Sequence, residues 1–400
     1  MSYVTLAKEA APSAPAAGSL TVYPDAAGRV RALDATGVDS VLSPSARVNY
    51  VRNSGKWFAQ RQAPATATTY SSTTGRAIAA DGFGITNENA SATYQRTDTA
   101  GAVETGLQGR FYGNYLKITT LGKLMVTQVL EGSDAVALRG RTVRVQCWMK
   151  QLVGAAPVVR LGLIQLAAAG TIDAIPAAFI SAFGANGVDP TLGTNLARIN
   201  PKAGVTGDNC TLNGAAYDCT LSSAWQRFGG VFDVPSDCKN LVVAIWGNAQ
   251  FAATNGFALA QVSLTDGYEI QDWSPALPTV ELDRVQRFYS KSFGIDTAPA
   301  QNVGLNTGEH KWVKVVAGAT AARSPVWRFP VRMRAAPTTT TLYSPGSASA
   351  QVRDETNTVD CTASAVVAGS DTGVAVTATG NAATVAEGLL GVHLSCDAEL

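Results

Sequence analysis

Histidine is almost missing from this sequence, with His310 and His393 the only two in 400 residues. Six cysteines, at 147, 210, 219, 238, 361 and 396, form no CxxC pair. Without such pairs and their histidine partners, no zinc site is expected, and no other metal or cofactor is implied. Charge is scarce and balanced, 31 Lys+Arg against 30 Asp+Glu and 15% of residues in all. That excludes a broad electrostatic footprint for nucleic acid or an anionic membrane. No apolar run approaches the ~18 residues of a membrane span. The opening MSYVTLAKEAAPSAPAAG has neither a basic leader nor a continuous apolar core, so no cleavable export signal is expected. GxSxG is absent, and LGKL at 121–124 lacks the first glycine and the hydroxyl of a phosphate loop.

Short alternating runs are what the chain does have: SLTVY, RVRAL, YLKITT, LMVTQVL, TVRVQCWM, VVRLGLIQL, LVVAIW, ALAQVSL, WVKVV and TTTTLYS. Gly, Asn, Asp and Pro stand between them, which reads as an all-β chain of sandwich or barrel type. Residues 1–48 hold an Ala/Pro arm and three strands of about five residues, a meander too small to be stable alone. Residues 49–280 carry most strands and form a central sandwich, and 281–400 form a second one. The Ala-rich piece AAAGTIDAIPAAFISAFGANG reads as loop with one short helix, since Gly and Pro interrupt it.

Candidate chemistry is sparse. Two distant histidines make a Ser–His–acid triad a poor expectation. His310 reads as a strand-edge surface residue, and His393 equally well as a satisfied core histidine. Glycoside hydrolysis needs only two carboxylates, and Asp266, Glu269, Asp272 and Asp354, Glu355, Asp360 are close in sequence, but each group reads as a solvated turn. No catalytic residue is assigned. Cys210 and Cys219 bracket an Asn-Gly turn, so a disulfide-clipped hairpin and a pair of reduced thiols both fit. Among the aromatics, most belong in the core. The run RFYGNY, with Arg110, Phe111, Tyr112 and Tyr115, is the candidate stacking surface for a sugar ring, with core or interface packing as its rival reading.

The stretch ELDRVQRFYSKSF, 281–293, changes period from helical to alternating, so it reads as a helical turn feeding a strand. Thr279 is placed to cap that turn, with Glu281 and Asp283 near its N-terminal dipole. As a domain junction, it sets Glu281, Gln286, Arg287, Phe288 and Tyr289 between two sandwiches.

NYVRNSGKWFAQRQAP, with Asn53, Trp57, Gln60 and Arg61, and IAADGFGI, with Ala80, Asp81 and Phe83, open a series of segments that, taken in order, resemble bacteriophage tail-fibre, tailspike and other virion appendage proteins. LMVTQVLEGSDAVALRGRTVRVQCWMK is similar to a strand–loop–strand of the associated jelly roll, a module that resembles carbohydrate-binding modules. ELDRVQRFYSKSF matches the family join at Glu281, Leu282, Gln286, Arg287, Phe288 and Tyr289, with Val285 where Cys often stands. VWRFPVRMRAAPTTTTLYSP resembles the C-terminal β-domain through Phe329, Pro330, Met333, Arg334, Pro337, Tyr343, Ser344 and Pro345.

The resemblance touches 49–345 and implies an architecture: an N-terminal β-meander anchor, a central jelly-roll β-sandwich and a C-terminal β-sandwich. It further implies a virion protein assembled in the host cytoplasm, held to other virion proteins through 1–48. Self-association as a homotrimer and contact with host-surface polysaccharide follow as expectations, with no nucleic acid partner and no membrane insertion. A purely architectural decoration, collar or baseplate protein and a polysaccharide depolymerase are the rival readings.

Overall fold

Strand-length apolar and alternating runs become paired strands through most of the chain. In the computed structural model, the described residues are 48–400, except 56–57, 64–65, 90, 99–111, 155–157, 272 and 275, together with 13, 16, 19–24, 30–34 and 39–41. Contacts divide the chain into two units, Met1–Val48 and Asn49–Leu400. In the first, Leu20–Pro24, Val30–Asp34 and Asp39–Val41 form an antiparallel three-stranded sheet in sequence order. Tyr23 and Leu33 are buried there while Val22 is exposed, the period of two expected of a one-sided sheet.

The second unit is all-β among its described residues apart from two short helices, Gly132–Leu138 and Pro278–Gln286. Its larger part is a jelly-roll sandwich. One sheet has six strands in the order Gln226–Asp233, Thr142–Gln151, Gly256–Asp266, Tyr112–Ile118, Ala92–Asp98 and Thr68–Tyr70. The facing sheet runs Thr211–Asn213, Ala216–Thr220, Val158–Leu166, Asn240–Gly247, Leu124–Val129, Phe83–Asn87 and Ala77–Ile78, with Leu196–Ile199 added on Val158–Leu166. Alternate residues Val143, Val145, Cys147 and Met149 meet Leu161, Leu163, Val243 and Ile245 between the sheets.

Residues 289–397 build a second pair of sheets around two long strands. Gly388–Asp397 pairs with Tyr289–Lys291, His310–Lys314, Thr339–Tyr343 and Arg353–Asp354. Gly373–Thr379 pairs with Ala321–Arg323, Trp327–Arg328 and Ala363–Ser370. Their core holds Trp312, Met333, Val352, Val376, Leu390, Val392 and Leu394.

Two local expectations are corrected. Residues 167–187 contain no helix; Ile180–Ala182 is instead a short strand paired with Thr191–Leu192. Phe179 and Ile180 are fully buried there, so tertiary packing decides the conformation of a segment whose composition is loop-like. The short helix occurs in EGSDAVALRG. Thr279 does not cap the later helix: Leu277 holds the N-cap without a side-chain bond, and Pro278 opens the first turn, where a missing N–H costs nothing.

Candidate functional site

The two outer faces of the jelly roll have different fates. On the eight-stranded side, Ile164, Leu166, Val242 and Trp246 point outward and are covered by Phe179, Ile180 and Leu196 from the chain's own 167–200 excursion. Polar bonds pin that cover. Arg160 pairs with Asp189 at 2.6 Å and Asp218 at 2.8 Å, the Trp246 Nε1–H donates to Asp189, and Lys123 Nζ donates to the carbonyls of Ala185 and Val188.

The outer face of the six-stranded sheet carries an aromatic row instead. Strand register sets Gln95, Tyr115, Ala258 and Lys150 side by side, and in the next row Ala260, Trp148 and Arg227. Tyr115, Trp148, Leu152 and Trp225 pack over Ala258 and Ala260. The small residues on the central strand let the rings approach from both sides. Lys150 Nζ lies 5.0 Å from the Trp225 ring centroid and 5.9 Å from that of Tyr115, a cation held over two π faces. Tyr115 and Trp148 stay half-buried, while Trp225 is 7% exposed. Farther along the same face, Arg144 donates to the Tyr268 carbonyl and Gln146 accepts from the Gln271 amide, so backbone covers that end.

Of the predicted stacking residues, Tyr115 stands in this row; Arg110, Phe111 and the side chain of Tyr112 lie outside the described residues. Sequence reasoning missed Trp148 and Trp225. The signal was available for Trp148, which is out of phase with Val143, Val145, Cys147 and Met149 and so must face outward.

The residues of 281–293 meet the jelly roll through a dense polar contact. Arg52 Cζ sits 3.6 Å from the Phe288 ring centroid, and Arg61 Cζ sits 3.9 Å from that of Tyr289. Arg287 bonds the Glu131 carboxylate, and Arg284 pairs with Glu281 while donating to the Asn49 carbonyl. Gln286 is buried beside them. Arg61 also bridges Asp81 at 3.0 Å and Asp397 at 2.8 Å, and Gln60 Nε2 donates to Asp81. Lys291 Nζ donates to the carbonyls of Gln60, Ile295 and Thr297, and burial pulls its pKa down to about 8. Residues 397–400 lie in this seam: Glu399 accepts from Arg52 at 2.5 Å and from the Gly82 amide, and Arg76 donates to the Leu400 carbonyl. Burial pushes the Glu399 carboxyl up, but Arg52, Arg61 and Arg76 outweigh it and hold it below its usual range. A cavity of about 60 Å³ remains among Tyr50, Arg52, Glu131, Asp134, Arg287 and Phe288. It is room for water, against the several hundred Å³ of an organic ligand site.

Of the motif residues, Gln60, Arg61, Asp81, Glu281, Arg287, Phe288 and Tyr289 therefore meet in this seam, while Trp57 lies outside the described residues. Asn53 adds to this by donating to the Phe58 and Asp81 carbonyls.

His393 is fully buried, stacked 4.1 Å from Phe293. Its Nδ1 lies 2.9 Å from the Ser292 hydroxyl and its Nε2 2.9 Å from the Thr307 hydroxyl, with Glu309 at 3.8 Å. Ser292 Oγ already accepts the Leu394 amide. The arrangement is a satisfied core network. Glu355 pairs with Lys311, Asp266 with Arg141, and Asp360 collects Ser344, Ser349 and Arg353, so these acids serve local contacts. His310 is half-buried on its strand, its Nε2 at 3.0 Å from the Pro325 carbonyl. Cys210 and Cys219 are unlinked, with their sulfurs 3.0 Å apart.

The fold and this surface define a two-module β-sandwich protein with one covered sheet face and one aromatic one. No family model matches the sequence, and no curated protein matches it. Solved structures overlay on parts of it. The enzymatically active domain of tailspike protein 4 from bacteriophage CBA120 does so at 13% identity and a TM-score of 0.29, over 55% of this chain and 22% of that one. The CBM22-1 xylan-binding domain from Paenibacillus barcinonensis does so at 10% identity and 0.28, over 52% and 99%. TmCBM61, solved with β-1,4-galactotriose, does so at 9% and 0.29, over 55% and 99%. The overlap spans under a quarter of the tailspike chain. Overlays at this level bring no residue roles with them.

Proposed function

We propose that this chain is a structural appendage protein of a tailed-bacteriophage virion that binds host-surface glycan on the outer face of its six-stranded sheet. The observation that carries the binding reading is the row of Tyr115, Trp148 and Trp225 on the face that the described chain leaves partly open. Sugar rings present C–H faces that stack on aromatics, and their hydroxyls need polar groups at the rim. Gln95, Lys150 and Arg227 stand in the same two rows. The virion reading rests on the ordered sequence resemblance. Its motif residues Gln60, Arg61, Asp81, Arg287, Phe288 and Tyr289 meet at one seam, which suits a protein that must transmit contact without its modules swinging apart. In this reading residues 1–48 attach to other virion proteins, three copies assemble in the host cytoplasm, and lysis releases the particle.

The test is a glycan array probed with the folded full-length chain, repeated with Trp148→Ala and Tyr115→Ala. Each truncation is expected to weaken binding about tenfold, the loss of one stacked ring. A reproducible blank with the wild-type chain would sink the binding reading and favour a purely architectural role. Release of new reducing ends from host capsule would favour a depolymerase. Density for the chain in images of the intact particle tests the virion assignment separately.

A further inference from the structure

The open edge of the jelly roll is closed by one short segment that belongs to both sheets. Asp208 exchanges backbone hydrogen bonds with Gly229, on the outermost strand of the six-stranded sheet, at 2.7 and 3.0 Å. Three residues later, Thr211–Asn213 pairs with Ala216–Thr220 at the edge of the eight-stranded sheet. Cys210 therefore sits at the crossing from one sheet to the other. The register joins Thr211 with Asp218, which sets Cys210 opposite Cys219. Directly opposed residues of an antiparallel pair have the Cα spacing that a disulfide spans. The sulfurs already stand 3.0 Å apart, with the Cys210 thiol aimed at the Asp208 carbonyl.

The two thiols differ in access. Cys210 is half-buried, whereas Cys219 is fully buried in the sandwich core, where burial holds its thiol well above the ordinary range.

We infer that Cys210 and Cys219 are an oxidation site, closed to a cross-strand disulfide by a low-molecular-weight disulfide such as oxidised glutathione. The Cys210 thiolate attacks one sulfur of the oxidant, breaking its S–S bond and releasing one small thiolate. Cys219, giving up its proton, then attacks Cys210 Sγ in the mixed disulfide and releases the second. Two protein thiols lose two electrons and two protons, and one small disulfide becomes two thiols. The product staples the segment where the two sheets meet. It suits a protein that folds under reducing conditions and later works under oxidising ones. This inference stands whether or not the aromatic row binds glycan.

The full-length chain is incubated with oxidised glutathione, and the product is mapped by peptide mass and by hydrogen exchange. The expected result is a loss of about two mass units in a peptide linking Cys210 to Cys219, with denatured thiol titre falling by two from the six cysteines. Exchange at Asp208, Gly229 and 211–220 should slow about tenfold, since the cross-link suppresses local opening. Cys210→Ser should abolish the change and Cys147→Ser should leave it intact. A link from Cys147 to Cys219, a stable mixed disulfide at Cys210, or native chain that resists an oxidant able to close the unfolded chain would each overturn the inference.

Discussion

Replacing Glu399 by Gln keeps the shape of the side chain and removes its charge from the seam between the two sandwiches. Arg52 and Glu399 are each 6% exposed at the side chain and 2.5 Å apart, so water screens them poorly. The gross attraction at that separation and an effective dielectric near 20 is about 7 kcal/mol, before the cost of desolvation. Arg52 would keep its bond to the Val129 carbonyl and its stacking on Phe288 but lose its counter-charge. Breaking one side of such a buried pair costs about 3–5 kcal/mol. Urea unfolding, followed by tryptophan fluorescence, should show that loss for Glu399→Gln. The acid limb supplies a second reading. Because the folded carboxyl lies below its ordinary 4.5, its contribution is fully present above that value and drains as pH falls through the folded pKa. The variant should lack that part of the slope. A double-mutant cycle with Arg52→Met isolates the pair. A coupling below about 1 kcal/mol would place it with exposed surface pairs and refute the account of the seam as a buried lock.

Two further outcomes follow from the packing. Gly162 sits under Trp246, and a Cβ there would lie 2.6 Å from the indole, so Gly162→Ala should cost about 2–3 kcal/mol in chemical denaturation; an unchanged midpoint would show that the fully buried ring has room to move. Glu309 is lowered to about 2, since burial pushes its carboxyl up but Lys311 and the amides of Asn306 and Thr307 outweigh it. Its contribution should persist above 4.5 and disappear as pH falls toward 2, and Glu309→Gln should flatten that portion of a stability–pH curve.

Strand content was legible because alternation needs no tertiary knowledge: TVRVQCWM announces its faces by parity. ELDRVQRFYSKSF likewise shows where a helix gives way to a strand, as Pro278–Gln286 and Tyr289–Lys291 do. The strand 180–182 was illegible because its apolar residues form no periodic run, and only the face around Trp246 supplies a reason to order them. Trp225 was hidden for the same reason, standing just before a strand with no period to assign its side.

Local alternation, turn residues and composition thus determined the all-β class and the expectation of short paired strands. Which sheet face stays open, and which arginine meets which carboxylate, only the tertiary structure decided. Glu399 lies 347 residues from Arg52, and Tyr115 lies 110 from Trp225 in sequence. Neither meeting has a local signature, because pairing across such distances is set by the stacking of whole sheets rather than by the residues that flank each side chain.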